Sequence, residues 1–289
     1  MSGGWLRALW RVLLFIGLFM AVLWLEGLLL PWVATLDMPG DRLSVGLVAQ
    51  TGLVLVAALV ASWVLLRWVD RRPLRGLGFP LDAAGARELG VGLAIGAAAL
   101  AVVVAVFAVF GWYRFTPEPG SLLDWTATSG LGLVALAIPA ASEEALLRGY
   151  VFRALEEGPG MGVAVLLTSL VFALLHGSNP GAGPLALMNI FLAGVLLAVA
   201  VVRTGALWLA TGVHLGWNWI MSGPLDLPVS GLQGLDVPLY DAVVTGPAWL
   251  TGGGFGPEGG LVGTLGACLG LVLVISLTRP GALLAGAER

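Results

Sequence analysis

The chain has 289 residues, 58% of them hydrophobic and only 11% charged, with a net charge of −3. Soluble domains carry roughly 25% charge, so this content, with a mean hydropathy of +0.97, excludes a soluble globular enzyme and predicts an all-α, polytopic membrane protein. The single cysteine, Cys268, excludes a disulfide framework and any Cys-based metal motif.

Apolar runs near the ~20 residues needed to cross a bilayer predict eight helices, at 12–33, 43–66, 89–112, 126–152, 161–178, 184–202, 206–222 and 261–277. Short polar joints leave no room for a second domain, so residues 1–289 form one membrane-embedded unit. Arg7 and Arg11 open the first run and no small-residue cleavage site follows, which reads as an uncleaved helix rather than a signal peptide. After the second run, "VDRRPLRGLGFPLDAAGAREL" mixes arginines with Leu and Phe, as an interfacial segment or a topology-setting loop would. Before the last run, segment 223–260 contains "TGGGFGPEGG". Without a Lys or a following helix N-terminus it is no phosphate cradle but a turn-rich lid or linker. Trp5, Trp10, Trp32, Trp68, Trp112 and Trp208 lie near run ends and read as interfacial anchors.

The arginines orient these helices, because basic residues accumulate in cytoplasmic joints. With eight crossings, Arg7, Arg11, Arg67, Arg71, Arg72, Arg75, Arg87, Arg148, Arg153, Arg203, Arg279 and Arg289 share one side. Only Arg42 and Arg114 fall opposite, beside Asp37, Asp41, Glu118 and Asp124. Both termini are thus expected in the cytoplasm, with the chain in a cell inner or plasma membrane.

The fourth run holds "SEEALLR", with Glu143, Glu144 and Arg148. The apolar stretch before Ser142, "SGLGLVALAIPAA", has 13 residues, only ~20 Å of helix and too short for a ~30 Å core. To span, the helix must carry the charges inside. Alternatively, Pro139 and Ser142 end one segment and cap an interfacial helix with the glutamates in its first turn. Buried carboxylates cost on the order of 2.5–3.5 kcal/mol each on insertion scales and face protein or a wet cavity. Glu144 and Arg148, four apart, can pair on one face. Glu143 lies ~100° round the helix and is the better candidate for a reactive group.

Both histidines of the chain fall inside apolar runs: His176 in "FALLHGSNP" and His214 in "TGVHLGWNW", where Asn218 shares its face. Either alone could be a polar joint between helices; with the glutamate pair they point to a catalytic or ion-handling cavity. A desolvated glutamate beside an imidazole can hold and deprotonate water, and His and Asn can donate to an oxyanion. That set hydrolyses an amide without a protein nucleophile. A G-x-S-x-G nucleophile turn is absent. Proton-coupled transport would also bury Glu and His, but its internal pseudo-symmetry is not seen. A non-catalytic scaffold or immunity protein could keep the same residues.

"EEALLR", "FALLH" and "HLGWN" occur in that order on successive helices and fit E-E-x-x-x-R, F-x-x-x-H and H-x-x-x-N. Together they resemble the signatures of the CAAX prenyl protease and bacteriocin-processing (CPBP) family of intramembrane proteases, with 126–222 as the motif-bearing core. The resemblance implies Glu143 as general base helped by His176, an oxyanion site at His214 and Asn218, and supporting roles for Glu144, Arg148 and Phe172. The family is described both as metalloproteases and as glutamate-dependent proteases; here the absence of an H-E-x-x-H stretch and an Asn that suits an oxyanion donor favour no metal cofactor. Were zinc present, Glu143, His176 and His214 would be its ligands, the fourth position going to water. The expected partners are a peptide or membrane-protein substrate and the lipid bilayer, with no nucleic acid.

Overall fold

In lipid a chain must satisfy its backbone internally, and an apolar run does so as a helix. The computed structural model describes residues 2–35, 45–233 and 235–279. In chain order it has α1 (Ser2–Leu29), α2 (Val45–Val64), α3 (Ala83–Val109), β1 (Tyr113–Pro117), α4 (Leu122–Arg148), α5 (Tyr150–Glu157) and α6 (Met161–Leu175). There follow α7 (Pro184–Thr204), α8 (Trp208–Ser222), β2 (Tyr240–Val244), α9 (Ala248–Thr251) and α10 (Leu261–Leu277). Each of the eight expected runs is a helix. The outer charges Asp37, Asp41 and Arg42, and the terminal Arg289, lie outside the described residues.

Among the described residues, five stretches are long and apolar enough to cross a membrane by length and composition: Gly4–Leu29, Val45–Val69, Ala83–Val109, Leu122–Glu157 and Pro184–Thr204. Helices α6 and α8 have 15 residues each and α10 has 17, or ~22–26 Å of rise, short of a ~30 Å core. The relative directions of three packed pairs agree with alternating crossings. The third and seventh, α3 and α8, run parallel, Gly92 against Leu209 and Val213 and Gly96 against Val213 and Trp217. The sixth and eighth, α7 and α10, are also parallel, with Leu196 beside Gly270 and Arg203 bonded to Thr278. The fourth and seventh, α4 and α8, are antiparallel: His214 meets Glu144, and the Trp219 indole donates to Ser129 O.

Small residues make the α3–α8 seam possible. A Cβ at Gly96 would lie 2.1 Å from the Val213 carbonyl, so only glycine lets these backbones come so close. Packed from both sides, α8 can carry His and Asn that lipid would not tolerate.

One end of the bundle gathers the arginines. Arg11 on α1 pairs with Asp70 at 2.7 Å and Glu157 at 2.8 Å and donates to the Tyr150 hydroxyl at 3.0 Å. Arg72 also pairs with Glu157, and Arg153 donates to Gly205 O at 2.7 Å. The opposite end carries the antiparallel pair β1–β2, in register from Tyr113↔Val244 to Pro117↔Tyr240. Segment 223–260, expected as a lid or linker, contributes β2, α9 and short 3-10 turns to that end. Of the expected anchors, Trp5, Trp10, Trp32 and Trp68 are exposed. Trp208 instead packs edge-on to Phe79 and donates to Pro80 O, and Trp112 stacks on Phe110.

Candidate active site

Helix α4 starts at a capping box between Ser121 and Asp124 and runs unbroken through Pro139. The alternative of a helix break at Pro139 and Ser142 therefore does not form; the Ser142 hydroxyl donates to Pro139 O at 2.8 Å inside one continuous helix. The helix stops at Gly149, whose φ −76 and ψ −123 are not helical. All three charges of the motif fall on its last two turns.

Glu144 and Arg148 are completely buried and 3.5 Å apart, the outer limit of a hydrogen bond. Arg148 also donates to Gly194 O at 3.1 Å, and its guanidinium lies 4.5 Å from the centre of the Phe172 ring. Phe172 is thus a wall for the arginine, and its ring also packs against His176, with centroids 4.8 Å apart, and edge-on to His214 at 5.9 Å. Closest to Glu144 is the ring of His214, whose Nδ1–H donates to Oε1 at 3.1 Å. The sequence pairs Glu144 with Arg148 by spacing; it gave no sign that the same oxygen orients a histidine 70 residues on.

His214 Nε2 points the other way, to Glu143 Oε2 at 3.8 Å. The Glu143 side chain is 33% exposed, that of Glu144 not at all, and of the two only Glu143 lines the cavity. His176 corrects an expectation. It was placed inside the run 161–178, but α6 ends at Leu175 and His176 is its C-cap, because Gly177, Ser178, Asn179 and Pro180 cannot continue the helix. Its Nδ1–H donates to Phe172 O at 2.8 Å, which leaves Nε2 as an acceptor.

Glu143, His176, His214 and Asn218 line one cavity of about 290 Å³, with Phe172 and otherwise mainly Leu, Ile and Val in its walls. This is the scale of a small-ligand or peptide side-chain site. The zinc alternative requires Glu143, His176 and His214 to converge. Among the described residues, the His, Cys, Asp and Glu side chains whose ligand atoms all lie within 4.8 Å of one another are Glu118, Asp236 and Asp241, exposed at the strand end. There the charge of Asp241 pushes the Glu118 carboxyl above its usual range. Glu143, His176 and His214 do not come that close to one another as placed, although each histidine ties Nδ1 to an oxygen, His214 to Glu144 and His176 to Phe172 O, the arrangement that leaves Nε2 for a ligand.

Helices long and apolar enough to cross a membrane, packed around this cavity, define a polytopic membrane protein. Residues 124–220 match the model of the family described as Rce1-like, the type II CAAX prenyl endopeptidases. The match covers the three motifs and bears out the resemblance to the CPBP family; that family is one of membrane-embedded CAAX-type endopeptidases. No curated protein and no solved structure matches the chain.

Proposed function

We propose that the chain is an intramembrane endopeptidase in which Glu143 activates the hydrolytic water without a metal. The observation that carries this reading is the position of Glu143, lining the cavity and facing His214 Nε2 at 3.8 Å. A carboxylate there can take a proton from a water held in the cavity, and His176 Nε2 offers that water a second acceptor. His214 and Asn218, four residues apart on α8, face the same space. With His214 Nδ1–H given to Glu144, its Nε2 donates to an oxyanion only as the doubly protonated ring, a form in which carboxylates flank both nitrogens. Glu144 would then position His214, while Arg148 and Phe172 would hold Glu144.

Treatment of the purified protein with a strong chelator tests the metal-free mechanism. Cleavage of a peptide substrate should persist at the untreated rate with no stoichiometric zinc. Loss of activity to the chelator and its return with zinc would overturn the mechanism and make Glu143, His176 and His214 the ligands.

We also propose that both termini face the cytoplasm, since the arginine-rich end of the bundle holds the start of α1 and the end of α10. A reporter fused after Arg289 should be active only in the cytoplasm; periplasmic activity would reverse the orientation.

A further inference from the structure

A second carboxylate faces the cavity from outside the motif-bearing helices. Glu258, in the turns before α10, is 8% exposed and lines the same space as Glu143. Its Oε2 accepts from the Ser230 backbone N–H at 2.8 Å and the Ser230 hydroxyl at 2.6 Å. Ser230 donates both bonds from a left-handed backbone, φ 49, a conformation that costs a non-glycine residue on the order of 1–3 kcal/mol and persists where the surroundings impose it. Here they do. Asn179 donates to Ser230 O at 2.8 Å, and its own N–H bonds to His176 O, so Ser230 is fastened to the turn that carries His176. Asn189 donates to Glu258 O and Gly260 O, each at 2.8 Å.

The chemistry of the cavity wall says what such a carboxylate would meet. Among the described residues that line the cavity there are two carboxylates, Glu143 and Glu258, and neither Lys nor Arg. Three buried polar atoms in the same wall, Glu143 Oε2, Trp217 Nε1 and Ser222 Oγ, have no hydrogen-bond partner; Ser222 is 1% exposed. The wall thus favours a positively charged group near its two carboxylates and an acceptor, such as a peptide carbonyl, near the Trp217 indole N–H, which can only donate. It disfavours a free terminal carboxylate lying near Glu258.

We infer that Glu258 is a specificity residue that receives a basic side chain of the peptide substrate, lysine or arginine, on the His176 side of the scissile bond. This rests on the endopeptidase reading and adds to it the charge of the substrate. Glu258 does no chemistry; it selects which bond reaches Glu143. The fastening of Ser230 sets the distance between the two carboxylates and so the spacing of the basic residue from the bond that is cut.

The test uses the full chain in nanodiscs with amidated decapeptides in which Lys, Arg, Gln or Glu is placed at each position in turn. Wild type should favour Lys and Arg over Gln at one position by about 10- to 100-fold, as a charged hydrogen bond predicts, and mainly through KM. Glu258→Gln should bring the Lys and Arg peptides down to the rate of the Gln peptides, while Glu258→Asp should restore part of the difference. Equal cleavage of Lys and Gln peptides by wild type would overturn the inference while the peptidase reading stood. A Glu258→Gln variant that lost all peptides alike would also overturn it, showing only that the carboxylate holds the lid together. Anisotropy of labelled peptides on Glu143→Gln protein reads the preference without turnover. If no peptide is hydrolysed but Lys peptides bind more tightly in a Glu258-dependent way, the peptidase reading fails and the cation site remains.

Discussion

Replacing Glu143 by Gln should lower peptide hydrolysis by at least the ~10²–10⁴ that a general base contributes while leaving the protein folded. The change keeps the size of the side chain, and Glu143 is one-third exposed with its nearest charged neighbour, His214 Nε2, at 3.8 Å, so the fold gains little from its charge. A carboxamide cannot accept the proton of water. His176→Ala should act on the same step, and the double variant should be little worse than either single, because groups that work as a unit are not additive. A Glu143→Gln protein that kept a tenth or more of the wild-type rate would place the base elsewhere.

The second large effect is on stability. Arg148→Ala should cost about 3–5 kcal/mol, the penalty for leaving one partner of a buried ion pair behind. Arg148 and Glu144 have no exposed surface, and the guanidinium also supplies the bond to Gly194 O and the contact with Phe172. The variant should melt early in detergent and accumulate poorly in membranes. A melting temperature equal to that of wild type would mean that Arg148 is not needed to hold Glu144 in the core.

Much of this was legible in the sequence because lipid leaves a chain few choices. Apolar length marked all eight long helices, and the shortness of the run before Ser142 forced Glu143, Glu144 and Arg148 inside. What escaped is what depends on distant partners. The bond from His214 to Glu144 joins residues 70 apart. Strand β1 is only five residues, and its partner β2 begins more than a hundred residues later. Helix α8 has 15 residues and needs no more, since α3 and α4 shield it. The end of α6 before His176 could have been anticipated, because Gly-Ser-Asn-Pro is a plain stop signal. Glu258 could not: a lone glutamate among glycines tells nothing of the cavity until the turns around it are folded.

The shared oxygen of Glu144 also has a consequence in time. Helix α4 is synthesised before α8, so its two carboxylates enter the membrane when His214 has not yet been made. At that stage the cation within reach on the same helix is Arg148, four residues on, in the favourable acid-before-base order. In the finished protein that pair is 3.5 Å apart, and the imidazole of His214 stands nearer to the same oxygen, at 3.1 Å. Arg148 thus serves first as an escort, offsetting the cost of carrying Glu144 into lipid, and afterwards as a fixed counter-charge behind the histidine.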